Sequence, residues 1–311
     1  MAGTKTALFS RKTPGGVFSI EDQSTTTGDR WFADSNNGAT TNSGTSPDDA
    51  MTTITAAKGK ATANQGDIVY IMPGHVETVA TAAALDFDKA GVKYIGLGWG
   101  DTRPKVQLSA SASTVEFNAD DMWIENLIFE GTFTGGVVVG LDIKTGCDDL
   151  MIKGCAIRGT STTKELLQGV TIEATNDRIT FEGCDFYEYA GDATVAIITE
   201  GAFTNLRLIR CNFTGTWATA ILDLDAAAST AQGLYAEDCT FVSHGASDGL
   251  MITLDNTTVA QFLRCNTFGR ESNQLPLAAA DDGGTTAIES YGTDAYGTNG
   301  ILWPSTATAW S

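Results

Sequence analysis

The amino-acid sequence predicts an all-β fold, a single-stranded parallel β-helix in which short strands coil around one axis. Two observations predict it: an internal repeat of roughly 26 to 30 residues, and at least two short β-patterned runs in each copy. Composition agrees, because Gly is frequent at 34 of 311 residues and only 18% of the residues are charged. Helical repeats of this length would need long apolar stripes of period 3.6, and the sequence has none.

Cysteines mark the repeat most clearly. Five of the six lie in similar contexts, such as ITFEGCDFYE, and follow one another at intervals of 29, 27, 28 and 26 residues: Cys155, Cys184, Cys211, Cys239 and Cys265. Asn126, in MWIENLIFEG, precedes the first of them by 29 residues and is predicted to be the earliest copy of the marker. Successive coils should therefore stack about 4.8 Å apart along the axis.

Stacking in register places equivalent side chains above one another, so the markers should form an inward-facing column. We predict a core ladder of Asn126, Cys155, Cys184, Cys211 and Cys239, flanked by an apolar ladder two residues later: Ile128, Ile157, Phe186, Phe213 and Phe241. The last copy slips, with Thr267 at that offset and Phe268 one later, which predicts a small bulge or the start of a cap. Buried reduced thiols are expected, although stacked coils are close enough for disulfides.

The phrase from Ile179 to Phe186 resembles the repeat of the right-handed parallel β-helix, or pectate-lyase-like, superfamily, and the resemblance covers residues 66–270. The segment WFADSNNGATTNSGTSPDDAMTTITAA resembles the beginning of such proteins, where a helix caps the first coil. Ser46 and Pro47, followed by two acids, are typical helix-start residues and predict a helix at about 48–62.

These features predict four regions. They are an N-terminal arm at 1–30, an initial strand, loop and capping helix at 31–65, a parallel β-helix of about eight coils at 66–270, and a C-terminal cap and tail at 271–311. The capping helix would cover strand edges that are otherwise open to pairing with another chain.

No catalytic, metal or cofactor site is predicted. The resemblance implies a search for the clustered Asp and G-H-G segments of polygalacturonase-like members, but the surroundings of His75 and His244 do not match them. The Asp pairs at 120/121 and 148/149 occupy one place in successive repeats, which favours turn residues. Paired carboxylates for glycoside hydrolysis, or a Ca²⁺ site, are the alternative.

Two further sets of side chains allow a structural or a functional role. Charged residues beside the marker column form either a substrate groove or a solvated face whose neighbours pair, with Glu182 and Arg210 as the clearest pair. Four aromatic residues in or near turns either stack on a saccharide or pack under a loop: Trp99, Tyr187, Tyr189 and Trp217.

Charge excludes some classes of partner. The chain has 19 Lys and Arg against 38 Asp and Glu, a net charge of −19, which repels phosphate backbones and anionic lipids. We therefore expect neither nucleic acid nor membrane as a partner. The sequence also has no apolar run of spanning length and no secretory signal, so a soluble, unprocessed chain is expected.

The termini differ from the repeats. Lys5, Arg11 and Lys12 form a basic arm before an acidic body, and Trp303 and Trp310 lie in an aromatic tail, so all five are predicted to dock on a partner. This combination resembles β-helical virion proteins of tailed bacteriophages. The resemblance implies a non-enzymatic capsid decoration (cement) or other exterior virion protein. It further implies homotrimers that are assembled in the host cytoplasm and bind the major capsid protein or another virion protein. The alternative is a polysaccharide lyase or hydrolase, or a glycan-binding tailspike-type protein.

Overall fold

The computed structural model describes residues 28–189, 193–224, 232–244, 251–254 and 258–269, together with the backbone of three strands outside them. Almost all the regular structure is in three parallel sheets, which we number I, II and III. Sheet I consists of ten strands: Arg30–Ala33, Ile68–Ile71, Lys93–Gly96, Trp123–Glu125, Met151–Lys153, Thr180–Glu182, Leu206–Ile209, Gln232–Glu237, Thr258–Leu263 and Thr285–Glu289.

The other two sheets run beside it. Sheet II consists of Val76–Val79, Lys105–Leu108, Ile128–Gly131, Ala156–Gly159, Asp185–Tyr187, Asn212–Gly215, Thr240–Ser243 and Asn266–Gly269. Sheet III consists of Leu85–Phe87, Val115–Phe117, Val137–Ile143, Leu166–Ile172, Val195–Thr199, Ala220–Leu224 and Ile252–Leu254. Two small pairs complete the strands, Phe9–Arg11 antiparallel to Phe18–Ile20 and Asn176–Asp177 parallel to Phe203–Thr204.

The chain visits sheets I, II and III in turn and then begins the next coil. Each strand pairs in parallel with the equivalent strand one coil earlier and one coil later, as Ile124 does with Tyr94 and Ile152. Counting from the strand Ile68–Ile71, seven coils of the described chain have a strand in every sheet, and an eighth adds strands to sheets I and II. The predicted parallel β-helix is confirmed.

The helix at the N-terminal end is shorter than predicted and starts later. It spans Ile54–Lys58, and the side chain of Thr53 caps it by accepting a hydrogen bond from the Ala56 N–H. Residues Pro47–Asp49 form a separate 3₁₀ turn. Ala50 and Thr53 are extended, and Met51 between them forms a parallel bridge with Ala33, so a helix begun at 48 does not continue through these residues. The helix packs against the first strands of sheets I and III, and its Ile54 N–H donates to Glu77 Oε2, in the first strand of sheet II, at 3.0 Å. A second 3₁₀ turn spans Gly100–Thr102.

The cysteine column begins one residue later than predicted. Ile128 pairs with Ala156, so the residue aligned with Cys155 in the preceding coil is Leu127, which is fully buried. The prediction that Asn126 belongs to this column is therefore wrong. Ile128 is likewise out of the apolar ladder, since it does not belong to the core cluster.

Asn126 is instead a turn residue. Its φ is 61°, in the left-handed region that Gly and Asn adopt most readily, and Gly154 and Gly183 take the same conformation at the equivalent turns of the next coils. The Asn126 side-chain amide donates hydrogen bonds to the carbonyls of Gly96 (2.8 Å) and Gly98 (3.0 Å). The sequence around Asn126 resembles the marker phrase, but Asn126 belongs to the column of turn residues next to the cysteine column.

The apolar ladder runs through the core as a row of aligned side chains. Phe129 pairs with Ile157, which pairs with Phe186, and the row continues through Phe213 to Phe241. The last three Phe rings of the row are stacked, with centroids 4.5 Å apart from Phe186 to Phe213 and 5.0 Å apart from Phe213 to Phe241. All five side chains are buried.

The last described coil keeps the register, so of the two predicted alternatives, a bulge or the start of a cap, the bulge is wrong. The predicted cap and tail at 271–311 lie outside the described residues, apart from the backbone of Thr285–Glu289. Thr267 pairs with Phe241 and is fully buried, whereas Phe268 pairs with Val242 and is 40% exposed. Within the described residues, the apolar ladder therefore ends at a buried Thr, and the Phe beside it points outward.

All six cysteines are buried and free. The thiols of the column donate to carbonyls of the preceding coil, as Cys184 Sγ does to the Ile152 oxygen at 3.3 Å. Burial raises the pKa of Cys155 to about 12, so this thiol is not a nucleophile at neutral pH. Cys147, outside the column, donates to the Ala119 carbonyl at 3.0 Å.

Candidate functional site: a cleft on the outer face of sheet II

A cleft of about 360 Å³ lies on the outer face of sheet II, over the fourth and fifth coils. Its volume falls within the range of about 300–1,000 Å³ that is usual for ligand pockets. Eight residues line it: Arg103, Ala156, Arg158, Gly159, Thr160, Asp185, Tyr187 and Tyr189.

Two paired strands form the floor. Ala156 pairs with Asp185, and Arg158 pairs with Tyr187, so these four side chains form two adjacent rows on the outer face. Gly159 ends the first strand at the wall of the cleft. A Cβ there would lie 2.4 Å from a carboxylate oxygen of Glu188, so the space a side chain would occupy is already filled from the core.

Arg158 is held by a buried carboxylate. Glu130 precedes it in the same outward row, is only 4% exposed, and accepts a hydrogen bond of 2.9 Å from Arg158 Nη2. Gln107, one coil earlier, donates to the other oxygen of Glu130 at 2.9 Å. Within the described residues, Nη1 and Nε of Arg158 have no hydrogen-bond partner. They are available to a ligand in the cleft.

Arg103 reaches the cleft from a distant coil. It belongs to the loop of the second coil between Lys93–Gly96 in sheet I and Lys105–Leu108 in sheet II. Its Nη2 donates to the carbonyls of Leu127, at 3.1 Å, and Gly154. The side chain thus spans from the second coil to the fourth. Its Nε is buried and has no hydrogen-bond partner in the described part of the chain.

The structure shows which of the four aromatic residues in or near turns are exposed and which are packed in the core. Tyr187 is 41% exposed and forms an edge-to-face pair with Tyr189, with ring centroids 5.1 Å apart, and both line the cleft. Trp99 is 86% exposed on the loop that also contains Arg103, whereas Trp217 is 4% exposed and packs in the core.

Behind the cleft wall lies a buried acid. Glu188 faces the core between Gly159 and Gly215, whose missing side chains leave room for it, and its Oε1 accepts a hydrogen bond from the Leu166 N–H at 3.1 Å. Burial raises the pKa of Glu188 to about 9, and the charge of the neighbouring Glu165 adds to the increase. Glu188 is therefore a neutral carboxyl at pH 7.

The Asp pairs are turn residues, as the sequence favoured. Asp121 and Asp149 have φ of 56° and 55°, and Asn205 takes the same conformation at 55°. Asp149 forms a bidentate ion pair with Arg178 in the next coil. The distances are 2.6 Å from Nε to Oδ1 and 2.7 Å from Nη2 to Oδ2, and this pairing lowers the pKa of the Asp149 carboxyl. None of these side chains lines the cleft.

Most of the charged residues beside the marker column form ion pairs with one another. Arg210 contacts Glu182, and Arg264 contacts Asp238 with Nε and Oδ1 2.7 Å apart. Trp123, on the outer face of sheet I, lies under the Lys93 ammonium at 4.9 Å from the ring centroid. Glu125 and Lys153 contact this ring rather than an opposite charge.

Several expectations fall outside the described structure. Lys5, Lys12, Trp303 and Trp310 lie outside the described residues, and only the backbone of Arg11 is described. Among the residues that are described, no three His, Cys, Asp or Glu side chains are grouped so as to hold a metal ion. No helix in that part of the chain is long and apolar enough to cross a membrane.

No pattern in the sequence points to Arg103, Arg158, Glu130 or Asp185. They belong to different repeats, and each taken alone is an ordinary polar residue on an outward-facing position or in a loop. The only available signal was the turn-proximal Tyr187 and its neighbours.

Comparisons with known proteins bear on the fold. No protein-family model matches the chain, and no curated protein sequence does. A solved structure described as a rhamnogalacturonan lyase matches with a TM-score of 0.50 and 11% identity, over 86% of this chain and 89% of its own. A pectin methylesterase from Aspergillus niger matches with a TM-score of 0.46 and 15% identity, over 80% of this chain and 90% of its own. The chain thus shares a parallel β-helix fold with the first of these structures.

Proposed function

We propose that this protein binds an acidic polysaccharide in the cleft on sheet II. The observation that carries the proposal is the placement of two arginines, Arg103 and Arg158, beside the exposed Tyr187 ring in a chain of net charge −19. On so acidic a protein, two arginines in one concave site provide a local attraction for an anionic group.

The chemistry of the cleft fits a sugar ring. A saccharide presents an apolar face of C–H groups, which packs on an aromatic ring, and a rim of hydroxyls that both donate and accept hydrogen bonds. Tyr187 offers the ring, Asp185 offers acceptors, and the two unused nitrogens of Arg158 offer donors. A sugar carboxylate would pair with the guanidinium groups.

The fold is compatible with this proposal but is not evidence for it. A rhamnogalacturonan lyase has a similar fold, yet one fold supports many functions. The proposal is for binding, because the cleft contains no residue to which we assign a catalytic role. The exterior virion role, the capsid partner and the trimer stay predictions, since the terminal residues on which they depend lie outside the described structure.

Affinity electrophoresis tests the proposal, with polygalacturonate, rhamnogalacturonan or hyaluronan in the gel and neutral dextran as the uncharged comparison. We expect at least one acidic polymer to retard the wild-type protein and Tyr187→Ala to abolish most of that retardation. Phe268→Ala is the matched control, because it removes a ring of similar exposure, 40%, from the same outward row three coils away. Equal migration of all three proteins in every gel would overturn the proposal.

A further inference from the structure

Trp99 is the most exposed of the large apolar side chains in the described structure. Its exposure is 86%, about twice that of Tyr187 or Phe268. A ring so exposed buries almost none of its apolar surface in the fold, so its packing contributes little to stability.

The loop that presents Trp99 is fixed on both sides. Within it, the Thr102 hydroxyl donates to the Trp99 carbonyl at 2.7 Å. The Gly74 N–H donates to the Thr102 carbonyl at 2.7 Å from the coil before, and the Asn126 amide donates to the Gly98 carbonyl at 3.0 Å from the coil after. A ligand that stacks on Trp99 would therefore meet a backbone that is already ordered, which lowers the entropic cost of binding.

One loop links Trp99 to the cleft. Arg103 follows four residues later, and its side chain lies along the molecule from the second coil to the Gly154 carbonyl in the fourth, where it lines the cleft. Tyr187 belongs to the fifth coil, three coil spacings or about 14 Å from the coil of Trp99 along the axis. An oligosaccharide can bridge that separation, whereas a single sugar cannot.

We infer that Trp99 is a second stacking position for the same ligand, so that the site selects a saccharide chain running along the β-helix axis. This inference rests on the proposed function and adds to it a preference for chain length. Along the axis, the Arg103 guanidinium lies at the third and fourth coils, between the coil of Trp99 and that of Tyr187, and would contact the middle of the bound chain.

The test compares ligands of different length. Isothermal titration calorimetry would measure di-, tetra- and octasaccharides of galacturonate and of hyaluronan against wild-type protein, Trp99→Ala, Tyr187→Ala and Trp123→Ala. Trp123→Ala is the matched control, because it removes the same side chain from the outer face of sheet I. Thermal unfolding of each variant would check that the fold is kept.

We expect Trp99→Ala to weaken octasaccharide binding about tenfold, which corresponds to about 1.4 kcal/mol, and to leave disaccharide binding within about twofold of wild type. Tyr187→Ala should weaken both. The inference is wrong if Trp99→Ala affects all lengths equally, or if wild type binds octasaccharide no better than disaccharide. It is also wrong if Trp99→Ala changes only the oligomeric state. Wild-type protein that binds no saccharide of any length would instead refute the proposed function itself.

Discussion

The guanidinium of Arg158 lies 2.9 Å, from Nη2 to Oε2, from the carboxylate of Glu130, which is 4% exposed although it belongs to an outward row of sheet II. A carboxylate so little exposed is stable in its charged form only when it is paired and hydrogen-bonded. Gln107 and Arg158 provide those partners, and in return Arg158 is held in one orientation on the floor of the cleft.

Glu130→Gln should disturb both partners. The neutral amide keeps the volume but removes the charge that holds Arg158, so we expect weaker binding of acidic polysaccharide and a loss of about 1–3 kcal/mol in the free energy of unfolding. Urea denaturation checks the second effect. Glu182→Gln is the control, because its ion pair with Arg210 lies on the surface and should contribute less than about 1 kcal/mol. Equal losses in the two variants would contradict the special role of Glu130.

Glu188 should make stability depend on pH. Its pKa in the folded protein is about 9, above the ordinary 4.5, so folding favours the neutral acid. The stability it contributes is therefore complete below pH 4.5 and is lost as the pH rises from 4.5 towards 9, by up to about 1.4 kcal/mol for each pH unit.

Comparison with Glu188→Gln isolates this effect from other titrating groups. The variant keeps a neutral side chain at every pH, so we expect the difference in unfolding free energy between variant and wild type to grow between pH 5 and pH 8 in favour of the variant. Chemical denaturation at several pH values measures it. A constant difference across this range would show that Glu188 titrates normally.

Phe213→Ala should be strongly destabilising. The ring lies between Phe186 and Phe241 in a rigid stack, so the neighbouring coils cannot collapse into the cavity, and we expect a loss of about 3–5 kcal/mol. Phe268→Ala removes an exposed Phe and should cost less than about 1 kcal/mol. Guanidinium denaturation of both variants gives the comparison, and similar losses would mean that the register described for the last coil is incorrect.

Gly159→Ala should damage the cleft wall through lack of space. A Cβ there would lie 2.4 Å from Glu188 Oε2 and 2.9 Å from the Lys164 carbonyl, so the strand or the buried acid must move. Gly146→Ala is a useful contrast, because that position has open space but a φ of 76° and should cost only about 1 kcal/mol. Thermal unfolding together with polysaccharide binding should show the larger loss of both properties for Gly159→Ala.

The parallel β-helix could be predicted from sequence because its core is periodic. Cys184 and Phe186 recur one coil later as Cys211 and Phe213, and burial restricts each such position to small or apolar residues in every repeat. Because the same restriction applies in every coil, the same residue types recur in the sequence. This recurrence was sufficient to predict the coil spacing, the parallel stacking of the coils and which rings face inward.

Only the tertiary structure decided the register and the cleft. Asn126 and Leu127 are adjacent, and backbone pairing alone shows that Leu127 continues the cysteine column. Arg103, Arg158 and Tyr187 come from three different coils and meet on an outer face. Residues on that face do not pack against the core, so their type is not restricted in every coil. They therefore do not recur at the repeat interval in the sequence. They come close together because long side chains reach across stacked strands. That reach cannot be read from the order of residues along the chain.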